Sequence, residues 1–341
     1  MKISQSNASS WTGSTSSQDE VPAPGVESLS HTAALSTRVL VIVGPTAIGK
    51  SALAEELCVR LGGEVVSADS MQIYRGMDIG TAKTPIEARR VPHHCLGIVE
   101  PGESFSAVAF QECARAAIAD ITSRDALPIV CGGTGLYVRA AVDAFEFAPG
   151  GQAGGPVRAK YEAFATDHGA EEVYALLEER DPDSAALIHR NNTRRVVRAL
   201  EMLDEGVSYA DQRAGFSVRE SVYDSRLIGL TMDREALYHR IDARVTAMIA
   251  AGLLDEVRRL LDEGLKEALT ASQAIGYKEL VPVVEGSADL DAAIADIQQA
   301  SRRYAKRQMS WFNADPRITW IDVTQSDLAT TATAALDAIN W

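Results

Sequence analysis

The spacing of apolar residues changes along this chain, and the changes divide it into parts. From Arg38 the run VLVIV, ending at Gly44, is continuous, apolar and β-branched, which predicts a strand buried on both faces of a parallel sheet. From Gly49 the period lengthens. Leu53, Leu57 and Leu61 recur at helical spacing, and Gly62-Gly63 follows as a stop. GEVVSADS predicts a second short strand ending near Asp69. Ser106 to Ser123 predicts a helix with Val108, Cys113, Ala117 and Ile121 facing inward, and LPIVCGG a third buried strand before the helical LYVRAAV. Alternating strands and helices predict an α/β fold with a parallel sheet.

After Phe147 the pattern turns purely helical. PGGQAGGP is a glycine-rich joint, and Val157 to about Val218 carries no strand signal. SRLIGLTM, around Leu227 to Thr231, is strand-like again; long helices are predicted at roughly 234–263 and 289–312, and RITWIDV as a last strand. The expected layout is a P-loop NTPase-like α/β core over residues 38–147 and 221–341, interrupted by an all-helical insertion at 148–220. Residues 1–37, rich in Ser, Thr, Gly and Pro, are expected to be a disordered extension. They lack the basic start and apolar core of a signal peptide.

Composition narrows the function. With 341 residues, 46% of them hydrophobic, the chain can bury a large core. A net charge of -14 argues against bulk attraction to nucleic acid, so any such partner must meet a local basic face. Cys58, Cys95, Cys113 and Cys131 form no C-x-x-C pair, which gives no zinc-ribbon spacing and suits a reducing cytoplasm. No apolar run approaches the roughly 20 residues of a membrane span.

The chemistry begins at GPTAIGKS. Gly44, Gly49, Lys50 and Ser51 fit G-x-x-x-x-G-K-[ST] between a predicted strand and a predicted helix, the setting this phosphate loop requires. Across Gly44, Pro45, Thr46, Ala47, Ile48 and Gly49, backbone N–H groups can turn toward phosphate oxygens; Lys50 adds charge, Ser51 offers a hydroxyl to Mg²⁺, and the helix N-terminus adds its dipole. The ordinary reading is an NTPase or small-molecule kinase, which needs a strand ending in a Mg²⁺-holding aspartate. LPIVC ends in Gly132-Gly133-Thr134 instead, and Asp69 after EVVSA is followed by the polar Ser70, Gln72 and Tyr74.

GPTAIGKS, SADSMQIYRGMDIGTAK, VPHHCLGIVEP, CGGTGLYVRA, NNTRRVVRALE, SQAIGYKEL and RRYAKRQMSWF occur in that order, and together they resemble the bacterial tRNA dimethylallyltransferases over about residues 38–323. The resemblance implies transfer of a dimethylallyl group from dimethylallyl diphosphate to N6 of the adenosine at tRNA position 37, beside the anticodon, with Mg²⁺ as cofactor. The loop would then hold the leaving diphosphate rather than spend ATP. Asp69 matches the family's catalytic carboxylate, and Thr134 the threonine near the reacting centre. A kinase or NTPase, or prenyl transfer to free AMP, is the competing reading.

For tRNA, the resemblance implies contacts from Ser70, Met71 and Gln72 beside Asp69 and Thr134. It implies others from Arg158, from Arg194, Arg195 and Arg198, and from Gln273, Gly276, Tyr277 and Lys278; some relatives carry arginine at the Gln273 position. The helical insertion would grip the anticodon arm. Arg240 and Arg244, one helical turn apart, are assigned to the diphosphate, against a bland alternative in which they pair with Asp233, Glu235 and Asp242. His93, His94 and Cys95 are adjacent and cannot all reach one tetrahedral ion from a regular element. The Met and Trp residues near 309–320 are assigned to the core. A cytoplasmic monomer is expected.

Overall fold

The computed structural model describes residues 37–144, 147, 155–216 and 218–341. The expected disordered extension, apart from Thr37, and most of the glycine joint lie outside the described residues. Thr37 already belongs to the fold, its carbonyl accepting from the Asp224 amide at 3.0 Å.

In the first half, β1 (Arg38–Val43), α1 (Lys50–Leu61), β2 (Gly63–Ser67), β3 (His93–His94), α2 (Ala107–Ser123), β4 (Leu127–Gly132) and α3 (Gly135–Val142) alternate as expected. A helical segment follows, with α4 (Pro156–Arg180), α5 (Pro182–Leu187), α6 (Thr193–Asp204) and α7 (Tyr209–Gly215). The chain then returns through β5 (Asp224–Thr231), α8 (Arg234–Ala250), α9 (Leu253–Asp262), α10 (Val281–Val284), α11 (Leu290–Phe312), β6 (Ile318–Asp322) and α12 (Leu328–Ile339). The strands form one six-stranded sheet in the order β3-β2-β4-β1-β5-β6, every pair parallel.

This order decides where chemistry can occur. Val43 is in register with Gly132 on β4 and Gly229 on β5, and Ser67 with Cys131. The loops after β1, β2 and β4 therefore leave the same edge of the sheet side by side, at the carboxyl ends of the strands where open α/β sheets bind ligands. Apolar side chains bury both faces of the sheet. Leu53, Leu57, Ala332 and Ile339 pack on one side, and Phe110, Ile118, Val138 and Val257 on the other. The helical segment has a separate cluster built on Tyr161, Val173, Leu177, Val196 and Leu200.

The helical segment is tied to the sheet where it leaves and where it returns. The Ala144 amide donates to the Glu220 carbonyl at 2.7 Å, and the Val222 amide to Val142 at 2.9 Å. Buried Asp143 pairs with Arg139 at 2.6 Å and Arg317 at 2.7 Å, so both crossings sit on one ionic knot.

Some local expectations shift. On α2 the fully buried positions are Phe110, Ala114, Ile118 and Ile121, whereas Val108, Cys113 and Ala117 are only half-buried. Ile121 is buried as expected, while Cys113 and Ala117 each lie one position from the buried Ala114 and Ile118. The helix expected over 234–263 breaks at Gly252, whose φ of 97° lies in the left-handed region. In α4 the chain breaks at Gly169, with φ 88° and ψ 171°. The short strand β3 and the final helix α12 carried no signal in the sequence reading.

Candidate active site

The phosphate loop turns through three residues with positive φ: Gly44 at 146°, Ala47 at 65° and Gly49 at 105°. A Cβ on Gly44 would lie 2.9 Å from the Leu230 carbonyl, so glycine is required there on both steric and conformational grounds. Pro45 and Ile48 are buried in the loop, and Gly49 caps α1 without a side-chain partner, leaving the helix N-terminus open to an anion.

Lys50 is held by the Pro45 carbonyl at 2.7 Å. Burial pulls its ammonium down to about 8, with the charge of Arg244 acting in the same direction and Cys131 and Asp69 opposing it. Ser51 stands exposed in the first turn of α1.

The β2 and β4 loops meet beside it. The Ser70 amide donates to the Thr134 hydroxyl at 3.0 Å, and that hydroxyl donates to Ser70 Oγ at 3.2 Å. The Met71 amide donates to Asp69 Oδ1 at 2.9 Å, a local turn that fixes the carboxylate. Thr46, Ala47, Asp69, Ser70 and Met71 then form one side of a cavity of about 430 Å³, within the usual range for ligand sites. The opposite side comes from α8 and α11. Ile241, Val245, Met248 and Ile297 make it apolar, while Arg244, Arg303 and Arg307 make it basic. Gln273, Gly276 and Lys278 also line it.

Arg240 and Arg244 do share a face, and the acid-paired alternative fails. Asp242 is taken by Arg302 instead. Arg244 turns into the cavity, where burial lowers its pKa and Asp69 partly restores it. Arg240 is exposed, and its guanidinium reaches the Ile48 carbonyl of the phosphate loop at 3.5 Å.

Several residues expected to face RNA are committed elsewhere. Gln72 accepts from Ser67 Oγ at 3.0 Å and donates to the Thr81 carbonyl at 3.1 Å, so its amide braces the loop and is absent from the cavity lining. Tyr277 is 0% exposed, and its hydroxyl donates to Glu256 at 2.6 Å. Its role here is to hold a carboxylate that also accepts the amides of Asp78, Ile79 and Gly80.

Tyr277→Phe therefore removes a hydrogen bond to a charged group. It is expected to cost about 1.5–3 kcal/mol in chemical denaturation while leaving RNA affinity unchanged at temperatures where the protein is folded.

On the helical segment, Arg198 is drawn to Glu201 at 2.8 Å, and Arg158 to Glu162 at 2.9 Å. Arg194 and Arg195 are exposed near the N-terminus of α6.

Of the Met and Trp residues assigned to the core, Trp320 packs partly buried against it, but Trp311 is 45% exposed near the end of α11. His93 and His94 face different acids, Glu55 at 2.9 Å and Glu64 at 2.7 Å. Among the described residues no group of three His, Cys, Asp or Glu side chains could hold a metal ion, and no helix is long and apolar enough to cross a membrane.

The sequence reading missed Tyr304 and Gln308. Tyr304 lines the cavity, where burial raises its phenol pKa and nearby Thr134 and Gln308 partly offset the rise. Gln308 shares the inward stripe of α11 with Ala293, Ile297, Ala305 and Phe312. A polar side chain on a buried stripe was the available signal, because a buried amide must find partners.

Residues 72–315 match the model of the IPP transferase family, and residues 37–89 that of isopentenyl transferase. The chain belongs to the IPP transferase family. Among its curated relatives, the tRNA dimethylallyltransferase of Geobacillus thermodenitrificans is 49% identical over 297 residues, covering 86% of this chain and 93% of the relative. That of Bacillus subtilis is 46% identical over 288 residues, covering 84% and 91%. The solved tRNA isopentenylpyrophosphate transferase of Bacillus halodurans superposes with a TM-score of 0.65 at 41% identity, covering 89% of this chain and 97% of that one. A eukaryotic dimethylallyltransferase acting on tRNA gives 0.73 at 30% identity, covering 89% and 78%. The family matches span the phosphate loop, the Asp69 turn, α8 and α11, elements that build the cavity.

Proposed function

We propose that this chain transfers a dimethylallyl group from dimethylallyl diphosphate to N6 of the adenosine at tRNA position 37. The observation that carries this reading is one cavity holding three kinds of lining. A phosphate loop and Arg244 suit a diphosphate, an apolar wall from α8 and α11 suits a short prenyl chain, and Asp69 suits an amine.

Adenine N6 is a weak nucleophile because its lone pair is delocalised into the ring. The Asp69 carboxylate accepts an N6–H hydrogen bond, orients the amine and takes its proton as the new N6–carbon bond forms. The carbon–oxygen bond to the diphosphate breaks, and both electrons leave with the diphosphate. The loop N–H groups, Lys50 and Arg244 stabilise that growing charge. In this reading the Thr134 hydroxyl, which here donates to Ser70 Oγ, turns to donate to the leaving group or its bridging oxygen.

The residues fit Mg²⁺ held mainly by substrate. Ser51 supplies one hard oxygen at the helix start, and among the described residues no cluster of carboxylates or other ligating side chains could cage an ion, which is how Mg²⁺ commonly sits among phosphates. Bound there, the ion would neutralise diphosphate charge.

The RNA is held from two sides in this reading. Arg194 and Arg195 on the helical segment bind backbone phosphates of the anticodon arm, while Gln273 and Lys278 meet the loop near the cavity mouth, where the target base is extruded. Residues 148–220 act as the gripping insertion, and Arg158, Arg198, Gln72 and Tyr277 support the contacting surfaces.

Purified protein given Mg²⁺, radiolabelled dimethylallyl diphosphate and unmodified tRNA should place label on the adenosine beside the anticodon. Label on free AMP alone, or ATP hydrolysis without prenyl transfer, overturns the reading.

A further inference from the structure

Gln308 is 5% exposed on α11, and its amide has an assigned direction. Oε1 accepts from the Thr46 amide at 2.8 Å, and Nε2 donates to the Gly133 carbonyl at 3.0 Å. One side chain therefore bridges the phosphate loop after β1 and the loop after β4, immediately before Thr134. The amide cannot be turned over without setting N–H against N–H and oxygen against oxygen. One helical turn earlier, Tyr304 lines the cavity near Thr134 and Gln308, which partly offset the rise that burial gives its phenol pKa. The close approach depends on Gly133, since a Cβ there would lie 2.2 Å from Gln308 Nε2.

We infer that Gln308 and Tyr304 form a positioning unit that sets the spacing between the diphosphate cradle and the Thr134–Asp69 side of the site. The inference rests on the transfer reading above. Prenyl transfer requires the breaking carbon–oxygen bond and the attacking N6 to lie in line. The two halves of that geometry are carried on different loops, and a misplacement of about 1 Å between them can cost about 10²-fold in rate. Neither residue needs to touch the adenine. A helix packed across the sheet edge holds the two loops in register, and its own packing through Ala305 and Phe312 makes the bridge rigid. Gly133 and Gln308 are thus a matched pair, the first giving room and the second filling it with two directed hydrogen bonds.

The test compares Tyr304→Phe, Gln308→Leu and the double variant with the wild type, at saturating dimethylallyl diphosphate and tRNA. The variants should bind inorganic pyrophosphate and tRNA as the wild type does, with unchanged KM for tRNA. The kcat should fall by about 10²-fold in Gln308→Leu. The double variant should fall no further than the worse single, as residues acting as a unit do. Tyr304→Phe keeps the ring and serves if Gln308→Leu folds poorly. Wild-type kcat in Tyr304→Phe with only a lowered melting temperature, or losses that multiply in the double variant, overturns the inference. A wild type that transfers no label to tRNA overturns the transfer reading instead, and the inference with it.

Discussion

Asp69→Asn is expected to lower the rate of prenyl transfer by about 10²–10⁴-fold, the usual contribution of a positioned general base. Asparagine keeps an oxygen able to accept from the Met71 amide, the bond that Asp69 Oδ1 makes at 2.9 Å. The turn should survive, and the cavity with it. What is lost is the ability to take a proton from N6 while the new bond forms. Single-turnover measurements at saturating substrate should show the fall in the chemical step, and tRNA binding measured by filter retention should be unaffected. A decrease of less than about tenfold would mean that Asp69 orients the amine without accepting its proton, because orientation is available to asparagine as well.

How much of this was legible in the sequence depends on whether a feature is local. The phosphate loop was, because its glycines, lysine and serine act within eight consecutive residues between a strand and a helix. The sheet was too, since buried parallel strands read as continuous apolar runs. The placement of Asp69 beside Thr134 is different. It requires β4 to lie between β1 and β2, and no short-range pattern specifies strand order.

The fates of the basic residues were also set at long range. Arg244 enters a cavity whose other walls come from the loops after β1 and β2 and from α11, while Asp242 on its own helix pairs with Arg302, sixty residues beyond it. Tyr277 looked like part of an RNA-facing segment, yet Glu256 on α9 drew it inside. Trp311 looked like core and emerged at the surface, because α11 gives its inward stripe to Ala305, Gln308 and Phe312. Helix breaks at Gly169 and Gly252 were marked by glycine, but glycine also occurs inside helices, so the residue alone could not decide.

Lys50 is expected to give this site a pH dependence on its alkaline side. Burial lowers its ammonium from 10.5 to about 8, so in the free enzyme the charge is lost as pH rises through about 8. Since kcat/KM reports ionisations of the free enzyme, kcat/KM for dimethylallyl diphosphate should be level below that value and fall with a slope approaching -1 above it. Bound diphosphate stabilises the ammonium, so kcat should hold to higher pH than kcat/KM. Stability moves in the opposite sense. The unfolded chain binds this proton more tightly, so Lys50 favours folding increasingly as pH rises from about 8 toward 10.5. Lost activity above pH 8 therefore cannot be assigned to unfolding through this residue.

Lys50→Met should lower kcat by about 10²–10³-fold at neutral pH, the scale of removing one preorganised group from a developing anion. It should also abolish the alkaline limb. Lys50→Arg keeps its charge throughout the range and should flatten the limb too, at a lower rate set by the poorer fit of a planar fork in a loop shaped for a point charge. Persistence of the same limb in Lys50→Arg would assign it to another group, and the buried ammonium would then have no part in the pH profile.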